Sequence, residues 1–165
     1  MYWFKRRYQQ IKRVIDFLPM IWKGYDFDYQ YSIDLFKKQL ERTATFLESK
    51  GAYSESAKIN AQKIRTAIRL MDKVYAEEYA NEYMVQIDKL YGTTHYEFVD
   101  IGGRDENGDS LTNLVLRNEN AVDEEHQKEI NEVRYQMMVH SREKQDRAHR
   151  LLWDFIGHNI QRWWD

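Results

Sequence analysis

Two groups of side chains in this chain have the types and spacing to do chemistry. Arg65 and Arg69 stand one helical turn apart, with Lys58 and Gln62 in the turns before them. Such a row can fix a phosphate through charge-assisted, forked hydrogen bonds, while an aromatic ring such as Tyr25, Trp22 or Trp153 stacks on a base. The plainer role for both arginines is salt bridging to Asp72 and to acids of neighbouring helices, as surface arginines routinely do. The second group is acidic: Glu78 and Glu82 share one helix face, and Glu125, Glu129 and Glu132 share another. Were those faces to meet, they would hold Mg²⁺ with substrate phosphates and support nucleotide hydrolysis. No run of lysine or arginine accompanies them, so a solvated acidic face is the favoured reading.

Other constellations fall away on geometry. His140, His149 and His158 recur every nine residues, which is two and a half helical turns, so neighbours in the series face opposite ways and His140 lies roughly 27 Å from His158. No His-x-x-x-His pair occurs, no metal site is expected, and His158 is expected to interact with Asp154 one turn earlier. Asp105-Glu106-Asn107-Gly108-Asp109 has alternating oxygen ligands, but Ser110 and Leu116 stand where a calcium loop needs glycine and glutamate, so the segment reads as a hairpin turn. The chain has no cysteine, which removes disulfides, thiolate metal sites and a cysteine nucleophile. No catalytic residue and no cofactor is assigned.

Helices must position these groups. Phe4, Tyr8, Ile11, Ile15 and Leu18 recur at helical spacing up to Pro19, the only proline, which predicts a helix over about 3–18. Tyr29, Ile33, Phe36, Leu40, Thr43, Ala44 and Leu47 predict a second over 27–49. Ala57, Ala61, Ile64, Ile68, Met71, Tyr75 and Tyr79 predict a third over 54–83, antiparallel to the second. After Gly92 the rhythm changes. Residues 96–101 and 111–116 have strand composition, predicting a β-hairpin over about 95–117. The helical period returns over 123–163, with a polar waist at 140–147 that reads as a solvated segment or as a ligand or subunit surface. The fold class is therefore mainly α, a helical bundle with one inserted β-hairpin, in a single domain of 165 residues.

The net charge of −2 conceals an asymmetry: residues 1–24 carry six basic side chains against Asp16, so this segment is +5 and the remainder −7. Attraction to anions is thus concentrated there, and binding of extended nucleic acid by the whole molecule is not expected. Aromatic and basic residues alternate over Tyr2-Trp3-Phe4-Lys5-Arg6-Arg7-Tyr8, the composition of an interfacial membrane helix, but the stripe that follows favours packing in a core or against a subunit. No apolar run reaches the roughly 18–20 residues of a transmembrane segment, nor is there the apolar stretch of a signal peptide. Five tryptophans and twelve tyrosines exceed what one small core readily hides, so a homo-oligomer is expected, most simply a dimer, with Trp163 and Trp164 at its interface.

The order Tyr25-Asp26-Phe27-Asp28-Tyr29, a helix with Lys38, Leu40 and Arg42, a second with Ile64-Arg65, Ile68, Leu70 and Asp72, a hairpin, and Leu151-Leu152-Trp153 leading to Arg162-Trp163-Trp164-Asp165 resembles a family of small uncharacterised helical proteins of tailed bacteriophages that end in Trp-Trp-Asp. The resemblance implies a phage origin and a host-cytoplasm setting, and brings no catalytic residue. With it, the expected function is non-catalytic binding: sequestering a nucleotide signal as a counter-defence protein, or blocking a host protein. The alternatives are a Mg-dependent nucleotide hydrolase using the paired glutamates, and a virion or assembly accessory protein.

Overall fold

The computed structural model describes residues 2–24, 28–49, 56–104, 106 and 108–164, with the side chains of Tyr2, Lys5 and Trp164 outside that description. The chain is mainly α, with one two-stranded antiparallel hairpin between helices. Its elements are α1 (Tyr2–Lys23), α2 (Tyr29–Glu48), α3 (Ala57–Tyr75), α4 (Glu78–Tyr91), β1 (Thr94–Arg104), β2 (Ser110–Asn118), α5 (Glu124–Asn159) and a closing 3-10 turn, Ile160–Trp164. Two compact units arise, one of Met1–Asp72 with Leu152–Asp165 and one of Lys73–Leu151, a finer division than the single domain expected from length.

In the first unit, α2 begins where the Asp28 carboxylate accepts from the Gln30 amide at 2.9 Å, satisfying one of the donors that a helix start leaves free. Ion pairs Lys37–Asp72 and Arg65–Glu48 join α2 to α3 in descending order and fix the antiparallel arrangement. The buried stripe is Leu40, Thr43 and Ala44 on α2, and Ala57, Ala61, Ile64, Ala67, Ile68 and Met71 on α3. Leu152, Ile156 and Trp163 complete the unit's buried set, and the Asn60 side chain donates to the Arg162 carbonyl at 2.9 Å. Alanines on α3 remove the bulk that would hold neighbouring helices apart.

α1 differs from expectation in two ways. It runs through Pro19 to Lys23: the proline forfeits one hydrogen bond and crowds the preceding turn, yet the helix continues, and the Gly24 amide donates to the Met20 carbonyl at 3.0 Å. Its apolar stripe, expected in a core or an interface, is exposed within this chain. The side that meets α2 is instead Asp16, paired with Arg42, and Phe17, whose ring lies beneath the Arg42 guanidinium at 5.8 Å.

In the second unit, the single helix expected over 54–83 is interrupted by Glu77, a non-glycine residue in the left-handed region at φ 53°, and resumes as α4. Glutamate is not a residue that ordinarily ends a helix in this conformation, so the break has no local sequence signal. β1 and β2 pair from Thr94↔Asn118 to Asp100↔Thr112, then shift register before Arg104↔Ser110. Gly102, at φ 71°, takes the turn at that shift, and its amide donates to Asp100 at 2.8 Å, while Ser110 donates to the same carboxylate. These two bonds hold the Asp100 carboxyl below the usual carboxylate range. Asp105 and Asn107 of the expected turn lie outside the described residues.

The polar waist of α5 is solvated over most of its length, with His140, Arg142, Glu143, Asp146 and Arg147 exposed, and one side of it packs within this unit. Ser141 is buried, Lys144 pairs with Glu82, and Gln145 donates to the Val74 carbonyl at 2.6 Å. Polar residues serve here because they meet a carbonyl and a carboxylate, which an apolar stripe would leave without partners.

Candidate functional site

The residues expected to clamp a nucleotide are held apart or already engaged. Arg65, on α3, donates to both oxygens of Glu48 at 3.0 and 2.8 Å, and to Thr45 at 3.2 Å. This fork holds the Glu48 carboxyl below its ordinary range and raises Arg65 above its own. Arg69 donates to Thr66 within α3 at 3.2 Å. Trp153 stacks on Phe36, centroids 6.2 Å apart and planes 17° from parallel, which occupies one face of its ring. Trp22 is 85% exposed on α1, and Tyr25 lies outside the described residues. An open groove of ≈ 470 Å³ does form beside α1 and α2, but its lining brings Asp16, Asp28 and Asp34 together with Lys23 and Lys38, and includes none of Arg65, Arg69, Trp22 or Trp153.

The acidic residues are dispersed. Glu78 pairs with Lys73 at 3.4 Å, and Glu82 with Lys144, whose hydrogen bond lowers the Glu82 carboxyl's affinity for protons. Glu132 accepts from Gln136 at 3.1 Å, while Glu125 and Glu129 stand exposed on α5. Among the described residues, no three His, Asp or Glu side chains come together as metal ligands. His158 meets Asp154 through the backbone carbonyl, at 2.7 Å.

Of the terminal aromatics, Trp163 is fully buried within its own unit, and its ring is core rather than surface; the Trp164 side chain lies outside the description. Sequence reasoning missed a buried polar cluster in the second unit. Arg134, only 9% exposed, donates to the side-chain oxygens of Asn118 and Asn131, and Asn118 in turn donates to the Gly92 carbonyl and Thr94 at 3.1 Å each. The Asn118 amide donates to Gln127 at 2.7 Å. Burial pulls the Arg134 pKa down from its ordinary value, and amide oxygens meet its donors in place of a carboxylate. The cluster ties both ends of the hairpin to α5, and nothing in the spacing of these residues announced it.

The feature that stands apart is α1. Phe4, Tyr8, Ile11, Ile15, Leu18 and Trp22 follow alternating steps of four and three, and with Trp3, Val14 and Ile21 they occupy an arc of roughly 140° at 100° per residue. All nine are at least half exposed, Phe4 at 73%. Single exposed apolar residues are ordinary, whereas a contiguous face of this kind marks a binding surface. Two basic residues accompany it: Lys12 borders the arc on one side, and Arg7, its guanidinium 5.4 Å from the Trp3 ring, falls within it.

No protein-family model, curated protein or solved structure matches the chain. Among the described residues, no helix is long and apolar enough to cross a membrane.

Proposed function

We propose that this is a phage-encoded, non-catalytic binding protein that acts by occupancy in the host cytoplasm, and that α1 is the surface with which it binds. The observation that carries the reading is the bare apolar face of α1 on a chain in which Arg65 is engaged by Glu48, and Glu78 and Glu82 by Lys73 and Lys144. Water is a poor neighbour for nine large apolar side chains, so covering them supplies a driving force for binding; the hairpin exposes a smaller set, Tyr96, Phe98, Val99, Ile101, Leu111 and Leu114. Nucleotide sequestration by Arg65 and Arg69 is the narrower form of the same reading. It requires phosphate to displace Glu48 from Arg65, against a two-pronged bond already made.

The test is a comparison of variants in cells that express the protein, with growth of the host and plating of phage as the readout. Binding through α1 predicts that Ile11→Glu with Ile15→Glu abolishes any effect of the wild type, and that Glu78→Gln with Glu82→Gln keeps it. In parallel, the purified protein is incubated with cyclic nucleotides and with Mg²⁺ and nucleotides. A converted nucleotide, with conversion lost in the glutamate variants, overturns the reading in favour of a hydrolase. A nucleotide bound intact, and lost in Arg65→Ala with Arg69→Ala, moves the binding site from α1 to α3.

A further inference from the structure

We infer that the occupant of the α1 face is an anionic lipid surface, on which α1 lies flat as an interfacial helix. The inference rests on the proposal that α1 is the binding surface, and goes beyond it by naming the partner. Two patterns on the same helix argue for different partners, and charge decides between them. The four-and-three spacing of Phe4, Tyr8, Ile11, Ile15, Leu18 and Trp22 is that of a coiled-coil seam, which points to a second copy of α1. In that geometry the positions flanking the seam choose the partner. Here one flank reads Lys5, Lys12 and Pro19, and the other Arg7, Val14 and Ile21. An antiparallel pair sets the first flank against itself, lysine beside lysine; a parallel pair sets it against the second, lysine beside arginine. Neither orientation supplies a carboxylate, and the sole acid of the helix, Asp16, is paired with Arg42 of α2. Self-association by this face therefore juxtaposes like charges, which costs affinity.

A lipid surface satisfies both patterns at once. The apolar arc enters the boundary between headgroups and acyl chains, and Lys12 at its border and Arg7 within it reach back to the phosphates, their aliphatic stems lying along the apolar face. Trp3 and Trp22, 61% and 85% exposed near the two ends of the helix, are the ring type that settles at such a boundary. The +5 of residues 1–24 matches a negative surface, and the −7 of the remainder keeps other parts of the chain from competing for it. At 22 residues the helix is long enough to lie in the interface, while its basic residues keep it from spanning.

The experiment is vesicle flotation of the full chain, with phosphatidylglycerol–phosphatidylcholine vesicles and with phosphatidylcholine alone, alongside light scattering of the free protein. The expected result is co-flotation with the anionic vesicles, at least tenfold weaker binding to neutral ones, and weakening as salt rises. Ile11→Glu with Ile15→Glu should abolish flotation. Lys12→Gln and Arg7→Gln should each weaken it about fivefold. Circular dichroism and the thermal midpoint report that these variants remain folded, as exposed positions should. Equal binding to neutral vesicles overturns the electrostatic basis. Absence of flotation, with a dimer mass that Ile15→Glu returns to monomer, assigns the face to a second copy and leaves the binding function standing. Absence of flotation in a chain that stays monomeric overturns the inference; if the Ile11→Glu, Ile15→Glu variant then keeps its effect in cells, the proposed function falls with it.

Discussion

α3 and α1 are amphipathic to a similar degree by sequence, yet the stripe of α3 is buried and that of α1 is bare. Ile64 is 0% exposed; Ile15, at the corresponding kind of position, is 60% exposed. The difference lies in what surrounds each stripe. α3 sets alanines among its larger residues, so other segments can approach closely and exclude water, and its ion pairs with α2 lie outside the stripe. α1 places aromatic rings and basic side chains along its stripe, and meets α2 through Asp16 and Phe17 on the other side. Periodicity thus reveals which face is apolar. What covers that face depends on shape and charge at its borders.

The comparison breaks most sharply in the core. Trp163→Ala should cost about 3–5 kcal/mol and Ile64→Ala about 2–5 kcal/mol, because each leaves a cavity in a packed unit, and denaturant unfolding will register both. A smaller loss, about 1–3 kcal/mol, is expected for Asn118→Ala, which deprives the buried Arg134 guanidinium of an acceptor; hydrogen exchange should then quicken in the hairpin before it does in α3. On α1 the same kind of substitution should hardly register: Ile15→Ser ought to change unfolding free energy by within about 0.5 kcal/mol, and a loss as large as that of Ile64→Ala would mean that the α1 stripe is core after all.

Acid should produce the smallest effect, and on the α2–α3 side alone. Glu48 is held below its ordinary pKa chiefly by the hydrogen bond from Arg65, so the pair's contribution is fully present above the ordinary carboxylate value and disappears as pH falls through the lowered one. Both groups are largely exposed, and the contribution is correspondingly small. Melting curves of wild type and Arg65→Ala should differ slightly at neutral pH and converge in acid, with no counterpart for an α1 substitution such as Ile15→Ser.

Much of this contrast was legible in the residues. The stripes of α2 and α3 gave their helices and burial, and the change of rhythm after Gly92 gave the hairpin to within a residue at each end, because alternation and turn-rich composition are local properties. Three things were not. The break at Glu77 depends on a backbone conformation that glutamate does not advertise. The role of the waist depends on a carbonyl at Val74 and a carboxylate at Glu82, far away in sequence. Arg134 gains its amide partners only when the hairpin closes. For the candidate site, the arginine row was visible but its partner Glu48 was not, since that contact forms across two helices. The bare face of α1 was visible as a stripe, but the stripe alone favoured packing in a core or against a subunit, and its exposure emerges only from the fold.

Hydrogen–deuterium exchange of the full chain, with and without anionic vesicles, tests the central claim most directly, because it reads α1 and α3 in one sample. The account predicts that residues 3–22 exchange faster than residues 60–71 in the free protein, and that vesicles slow exchange in residues 3–22 while leaving 60–71 unchanged. Residues 3–22 as protected as 60–71 in the free monomer, or indifferent to vesicles, would contradict it.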